Sequence, residues 1–402
     1  MPPANHAPEA HAGTDESVLI GVPVTLNGTA SHDQDDDPLT YAWKQTGGTN
    51  VVLAGANTAA ATFVSPAVAG TLTFTLTVSD GQTSDTDSVT VTVWEVVPPS
   101  APVLFIANVA GNNVVAYDLT NSTGLQGDVV PDANLFGGQT QLLEPSACAI
   151  DVGGALLVSN FRTPSITGYP DAVDLTAIDG DVAPTRLVEG SATRLAAPTA
   201  MAVSRLRNLL FVADTTRDEI LVYVNASTSA LDGNVSPVRS IASASLADPF
   251  GLHLTVRDDL YVANAATDNV VVFAGVSTLS GTVAADRIID SASFDDLFGV
   301  FVDADDVLYV VDSGDAQILM FQNASTLSGT RVPDATLRVQ GAGKLTAIAV
   351  DAAGTGYIVD NTVSALYSFD TIASRSGLLP PDRRLEGPGT RLTNPIRLFL
   401  HE

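Results

Sequence analysis

PFGLHLT (249–255), LYVAN (260–264) and NVVVF (269–273) follow one another with short polar gaps, and this trio decides the fold because it recurs. The middle run, an apolar stretch closed by Asn or Asp, appears six times, ending at Asn108, Asn160, Asp214, Asn264, Asp312 and Asp360. Successive spacings are 52, 54, 50, 48 and 48 residues. A third run follows each copy, as in NVVAYD, EILVYV or QILMFQ, and then a loop such as NASTLSGTRVPDATL. Short apolar runs with turn formers between them read as strands, and a fixed period near 50 residues marks a repeat architecture.

The run before each copy reads PSACAID from Pro145, PTAMAVS from Pro198, PFGLHLT from Pro249, LFGVFVD from Leu297 and LTAIAVD from Leu345. The first copy has none, and PIRLFLH from Pro395 stands at the far end of the chain. The C-terminal strand is therefore expected to complete the blade that begins near Val103. Six four-stranded units closed in this way predict a six-bladed β-propeller, an arrangement that shields strand edges.

Upstream, residues 14–96 alternate apolar and polar positions, as in SVLIGVPVTLNG and TLTFTLTVSDG. About seven antiparallel strands in so short a stretch predict a two-sheet sandwich. The whole chain reads as all-β: a flexible tail over 1–13, a sandwich over 14–96, a Pro-rich linker over 97–102 and the propeller over 103–402.

The formal charge is −27 and only Lys44 and Lys344 represent lysine, so no basic patch exists to neutralise phosphates and nucleic acid is not an expected partner. No run approaches the roughly 18 apolar residues of a membrane helix. Cys148, the single cysteine, lies in an apolar string and reads as a small core residue. The opening MPPANHAPEAHAG lacks the basic and apolar regions of a signal peptide; its Pro- and Ala-rich composition reads like the stalk after a removed export signal or lipid anchor. The sequons at Asn121, Asn225 and Asn323 sit at equivalent loop positions and follow the repeat.

The motif P-x-[GA]-[LIVM]-[AFH]-[LIV]-D with its following LYVAN-type run resembles the NHL repeat, over about three quarters of the chain. The stretch AGTDESVLIGVPVTLNGTASHDQDDDPLTYAWKQTGG with TLTFTLTVSDG resembles a PKD-type, immunoglobulin-like domain. Such domains stand in exported bacterial and archaeal surface proteins and secreted hydrolases, which implies an extracellular or cell-surface location. The resemblance further implies a calcium ion held by Asp33, Asp35 and Asp37, with Asp80 and Asn5 completing its shell; an Asx-rich turn is the alternative reading.

In the propeller, residues that break the repeat are the better functional candidates. Ala147, Ala200, Gly251, Gly299 and Ala347 occupy one inner-strand position that the last copy fills with Arg397. A guanidinium there needs an acid or an anion, and Glu144, Asp248 and Asp296 precede inner strands. His253 interrupts the same strand pattern. Asn160, Asn264 and Asp312 could face the channel mouth or cap the turns that follow them. The first functional expectation is a binding or adhesion protein whose propeller engages protein or glycan, with the sandwich as spacer. A metal-dependent lactonase- or lyase-like enzyme using Glu144, Asn160, Asn264 and Asp312, and a surface-fibre subunit, stay open beside it.

Overall fold

The computed structural model describes residues 5–94, 102–224, 226–228 and 230–402. The chain divides into two compact units, one of residues 1–97 with 205–208 and one of residues 98–204 with 209–402. Most of the expected linker lies outside the described residues. No described helix is long and apolar enough to cross a membrane.

The first unit is a sandwich of two sheets. One runs Glu16–Leu19, Ser84–Trp94, Gly70–Ser79, Thr40–Gly47, its first pair parallel and the rest antiparallel; the other pairs Pro23–Asn27 with Ala60–Val64. These are six strands among the described residues, against the seven or so expected. The period-2 pattern sorts the faces: Leu72, Phe74, Leu76 and Val78 are buried together with Val89, Val91, Val93, Val24, Leu26, Phe63 and Trp43. Each such side chain contributes about 1.5–3 kcal/mol on burial. Residues 9–12, expected within a flexible tail, lie along the sandwich instead. Ala10 and Ala12 are buried in its core, and their amides donate to Asp85 Oδ2 (3.0 Å) and Asp87 Oδ2 (2.7 Å).

The second unit contains six sheets among the described residues, each opening with an antiparallel trio such as Pro249–Leu254, Leu260–Asn264 and Asn269–Phe273. The first strand of each packs on the first strand of the next around a ring. Pro395–His401 pairs antiparallel with Val103–Asn108, so the end of the chain supplies the inner strand of the first blade. The ring axis is crowded: a Cβ on Gly251 would stand 2.6 Å from the Phe298 carbonyl oxygen, which explains the small residues at this level.

Two devices repeat in every blade. Each inner strand carries a β-bulge at its second residue, between Pro145 and Ala147, Pro198 and Ala200, Pro249 and Gly251, Leu297 and Gly299, Leu345 and Ala347, and Pro395 and Arg397. Each outer strand is met by a short parallel segment from a neighbouring repeat, opened by Gly127, Gly180, Gly233, Gly281, Gly329 or Gly377. All six glycines have φ between 72° and 89°, a conformation disfavoured by any other residue, and nothing crowds them.

Candidate functional site

The bulges create the site. A bulged residue leaves the ladder, so its carbonyl oxygen is freed and its side chain re-aimed. The six bulged residues are Ser146, Thr199, Phe250, Phe298, Thr346 and Ile396. Three act as staples between blades: Ser146 Oγ donates to the Pro198 carbonyl (2.6 Å), Thr199 Oγ1 to Pro249 (3.0 Å) and Thr346 Oγ1 to Pro395 (3.2 Å). Phe250 and Phe298, in adjacent blades, abandon that hydroxyl and pack on each other instead, tilted by 55° with centroids 4.4 Å apart. Both rings are half-buried.

Beside them lies the channel, a cavity of about 210 Å³ lined by inner-strand residues that include Gly251, His253, Phe301, Ala347, Arg397 and Phe399. Arg397 crosses it. Its Nη1 donates to the carbonyls of Thr346 (2.8 Å) and Ile396 (3.2 Å), and its Nη2 to that of Phe250, so it gathers three of the oxygens that the bulges free. The guanidinium also lies 4.8 Å from the Phe250 ring centroid. Burial lowers its pKa to about 9. Lys344 Nζ sits 4.3 Å from the Phe298 centroid.

None of the expected acidic partners bonds Arg397, and two of the three, Glu144 and Asp296, are paired with other cations. Glu144 pairs with Arg162 (3.0 Å), Asp296 with Lys344 (3.1 Å), and the Asp248 amide donates to Asp218 (2.6 Å). Burial, with Asp218 and Asp296 adding repulsion, raises the Asp248 pKa. Bulge carbonyls serve the arginine because they already point into the channel.

Of the sequence candidates, Arg397 and His253 line this cavity; Glu144, Asp248, Asp296, Asn160, Asn264 and Asp312 do not. His253 packs against Phe301 at 4.4 Å with the rings tilted by 56°, and burial lowers its pKa to about 4. Asn160 Oδ1 accepts from the Leu143 amide (2.9 Å) and Asn264 Oδ1 from that of Ala247 (3.2 Å), each tying down the loop before an inner strand. Asp312 holds its own turn, accepting from the Asp315 amide (3.2 Å) and Gln317 Nε2 (2.9 Å). Burial pushes its pKa up to about 6. All three are fully buried. Cys148 is buried, and its thiol pKa is raised by desolvation.

In the sandwich, oxygens of Asp33, Asp35 and Asp37 lie within 4.8 Å of one another. Asp33 is 8% exposed; its Oδ1 accepts the Asp35 amide (2.8 Å), while its Oδ2 has no partner. Asp35 accepts from the His6 amide (2.7 Å) and lies 3.0 Å from His6 Nδ1, bonds that lower its pKa. Asn5 Nδ2 donates to Asp80 Oδ2 (2.8 Å), and this bond leads the group that lowers the Asp80 pKa. The five residues thus form two adjoining sets, Asp33–Asp35–Asp37 and Asn5–Asp80, with the Asp80 charge reaching Asp35.

The aromatic bulge pair escaped the sequence reading, although Phe at the second position of PFG and LFG, where three other copies have Ser or Thr and the last has Ile396, was the available signal. So did His32, which the fold sets beside Glu9 and His11.

Fold and sites together define a PKD-type sandwich followed by a six-bladed propeller. Residues 12–93 match the family described as K319L-like, PKD domain. Across 132 residues, 32% of the chain, the sequence is 37% identical to the mouse dyslexia-associated protein KIAA0319-like protein, and that match spans only 12% of the mouse protein. The solved PKD domain of the KIAA 1837 protein is 36% identical, covering 23% of this chain and 91% of that domain, with a TM-score of 0.20. A protein of unknown function from Bacteroides caccae is 10% identical, covering 75% of this chain and 100% of its own, with a TM-score of 0.48. A Lactobacillus plantarum protein is 13% identical over 75% of this chain and 99% of its own, also at 0.48.

Proposed function

We propose that this is an extracellular or cell-surface binding protein whose propeller receives a sugar of a glycan, or a side chain of a protein, at the bulged end of its channel. The observation that carries this reading is the Phe250–Phe298 pair flanked by Arg397 and Lys344. Two blades give up a stabilising inter-blade hydroxyl bond, worth about 1 kcal/mol, to present half-buried aromatic rings. A recess so narrow suits a ring or a protruding side chain. The metal-dependent enzyme reading loses support because Asn160, Asn264 and Asp312 spend their oxygens on backbone and neighbouring side chains and Glu144 pairs with Arg162.

In the same proposal the sandwich is a spacer braced by calcium at Asp33, Asp35 and Asp37. The buried, unpartnered Asp33 Oδ2 supports it, since an isolated carboxylate oxygen out of water is costly until a cation meets it. The exported settings of PKD-type domains support the location.

A glycan array and a surface-protein library probed with the full chain, followed by calorimetry on hits, test the binding reading. Phe250→Thr with Phe298→Thr, which restores the residue other blades carry, should abolish binding while leaving the fold intact. Unchanged binding by that variant would show that the ligand sits elsewhere. For calcium, the full chain should bind one ion that Asp33→Asn loses; equal binding by both chains would remove the brace.

A further inference from the structure

We propose that Glu9, His11 and His32 form a zinc site on the outer face of the sandwich. The backbone builds it. Glu9 and His32 form a bridge in which the Glu9 amide donates to the His32 carbonyl (2.8 Å) and the His32 amide to the Glu9 carbonyl (3.1 Å), so their side chains stand opposite each other. Along the extended segment, Ala10 and Ala12 turn inward to the core, which sends Glu9 and His11 to the other face together. The Asp85 and Asp87 carboxylates fix the amides of the inward pair, and Ser31 Oγ accepts the amide of His11 (3.0 Å). The three side chains thus project from a backbone tied down on both sides.

Both imidazole nitrogens stand beside the one carboxylate, and the three ligand atoms lie within 4.8 Å of one another. His11 Nε2 lies 3.4 Å from one Glu9 carboxylate oxygen and His32 Nε2 3.4 Å from the other, and the imidazole rings stack at 5.8 Å with a 9° interplanar angle. Ligand atoms about 2.0–2.1 Å from a tetrahedral zinc stand about 3.3 Å apart, so each nitrogen is already at that separation from one Glu9 oxygen, and a turn of the exposed rings brings both lone pairs onto a shared ion. Two imidazoles and one carboxylate select zinc over calcium or magnesium, which take oxygen shells. Three protein ligands leave a fourth position, and with 44–62% of each side chain exposed, water reaches it. The site is distinct from the acidic loop. His32 faces outward, while the next residue, Asp33, turns its unpartnered oxygen inward.

The site would clip residues 9–11 to the loop at His32, so zinc should raise the melting temperature of the sandwich, followed by emission of Trp43 and Trp94. The test uses the full chain without a histidine tag, titrated with zinc by calorimetry and with cobalt by visible absorption. A single zinc equivalent, and a tetrahedral cobalt band that zinc displaces, are expected. Both should be lost in His11→Asn and in His32→Asn, and kept in Asp33→Asn. Neither side chain belongs to the core, His32 being exposed and His11 half-buried, and tryptophan emission without metal should match the wild type. The Glu9→Gln variant, which keeps both nitrogen donors, should bind more weakly. Absence of zinc binding by the wild-type chain overturns the proposal. So does undiminished binding by either histidine variant, or loss of the cobalt band in Asp33→Asn, which would assign the ion to the acidic loop.

Discussion

Replacing His253 by Phe should change how the propeller's stability responds to acid. His253 lines the channel against Phe301, and burial holds its pKa near 4 where 6.5 is ordinary. The unfolded chain therefore takes up a proton that the folded chain refuses. This contribution to stability is whole above pH 6.5 and is lost as pH falls towards 4. At about 1.4 kcal/mol per tenfold, the gap amounts to about 3 kcal/mol. Asp312 runs the other way: burial raises its pKa to about 6, so its contribution is whole below 3.8 and is lost as pH rises through 6. The two oppose each other between pH 4 and 6. Phe, already present at the equivalent positions 301 and 399, removes the histidine arm without emptying the site. Denaturant unfolding of both chains across pH 4 to 7.5 gives the readout. Seven of the eight tyrosines are fully buried in the propeller and both tryptophans lie in the sandwich, so tyrosine near-ultraviolet dichroism follows the propeller with tryptophan emission as an internal control. His253→Phe should gain about 3 kcal/mol relative to wild type as pH falls from 7 to 4. A difference that stays constant over that range would refute the reasoning.

Asp312→Asn should do the reverse, steepening the loss of propeller stability as pH drops from 6 to 4, read in the same titration. Tyr117 Oη donates to the Thr390 carbonyl (2.8 Å) in the core, so Tyr117→Phe should cost about 1–2 kcal/mol in denaturant unfolding, with the sandwich transition unmoved. Deleting residues 395–402 strips the inner strand from the first blade and bares the edge of Val103–Asn108. Cooperative propeller unfolding should be lost and light scattering should rise, while tryptophan emission keeps its transition.

Features repeated in every blade were legible in the sequence, because a contact that recurs leaves a periodic mark. The Asn or Asp after each LYVAN-like run and the stray PIRLFLH at the end are such marks, and the paired sheets answer to them. The site was harder to see because it rests on contacts made once. Nothing local to Arg397 says that bulge carbonyls, and not Glu144, Asp248 or Asp296, will surround it; that depends on where other blades place their bulges, and two of those acids are paired with Arg162 and Lys344. His11 and His32 lie far apart in sequence and meet only through the bridge at Glu9. The acidic loop was readable because Asp33, Asp35 and Asp37 are neighbours in the chain, whereas its inward, unpartnered oxygen was not.

The glycine-led segments that cover each outer strand bear on how such a chain can evolve. Every repeat completes the sheet of a neighbour as well as its own, and the final strand completes the first. Losing part of a repeat would uncover an edge in the adjacent blade and break the ring at a distance from the lesion. Gain or loss of whole repeats in register leaves every edge covered, whereas a bulged position such as that of Phe250 can change only together with the contact it makes to the next blade.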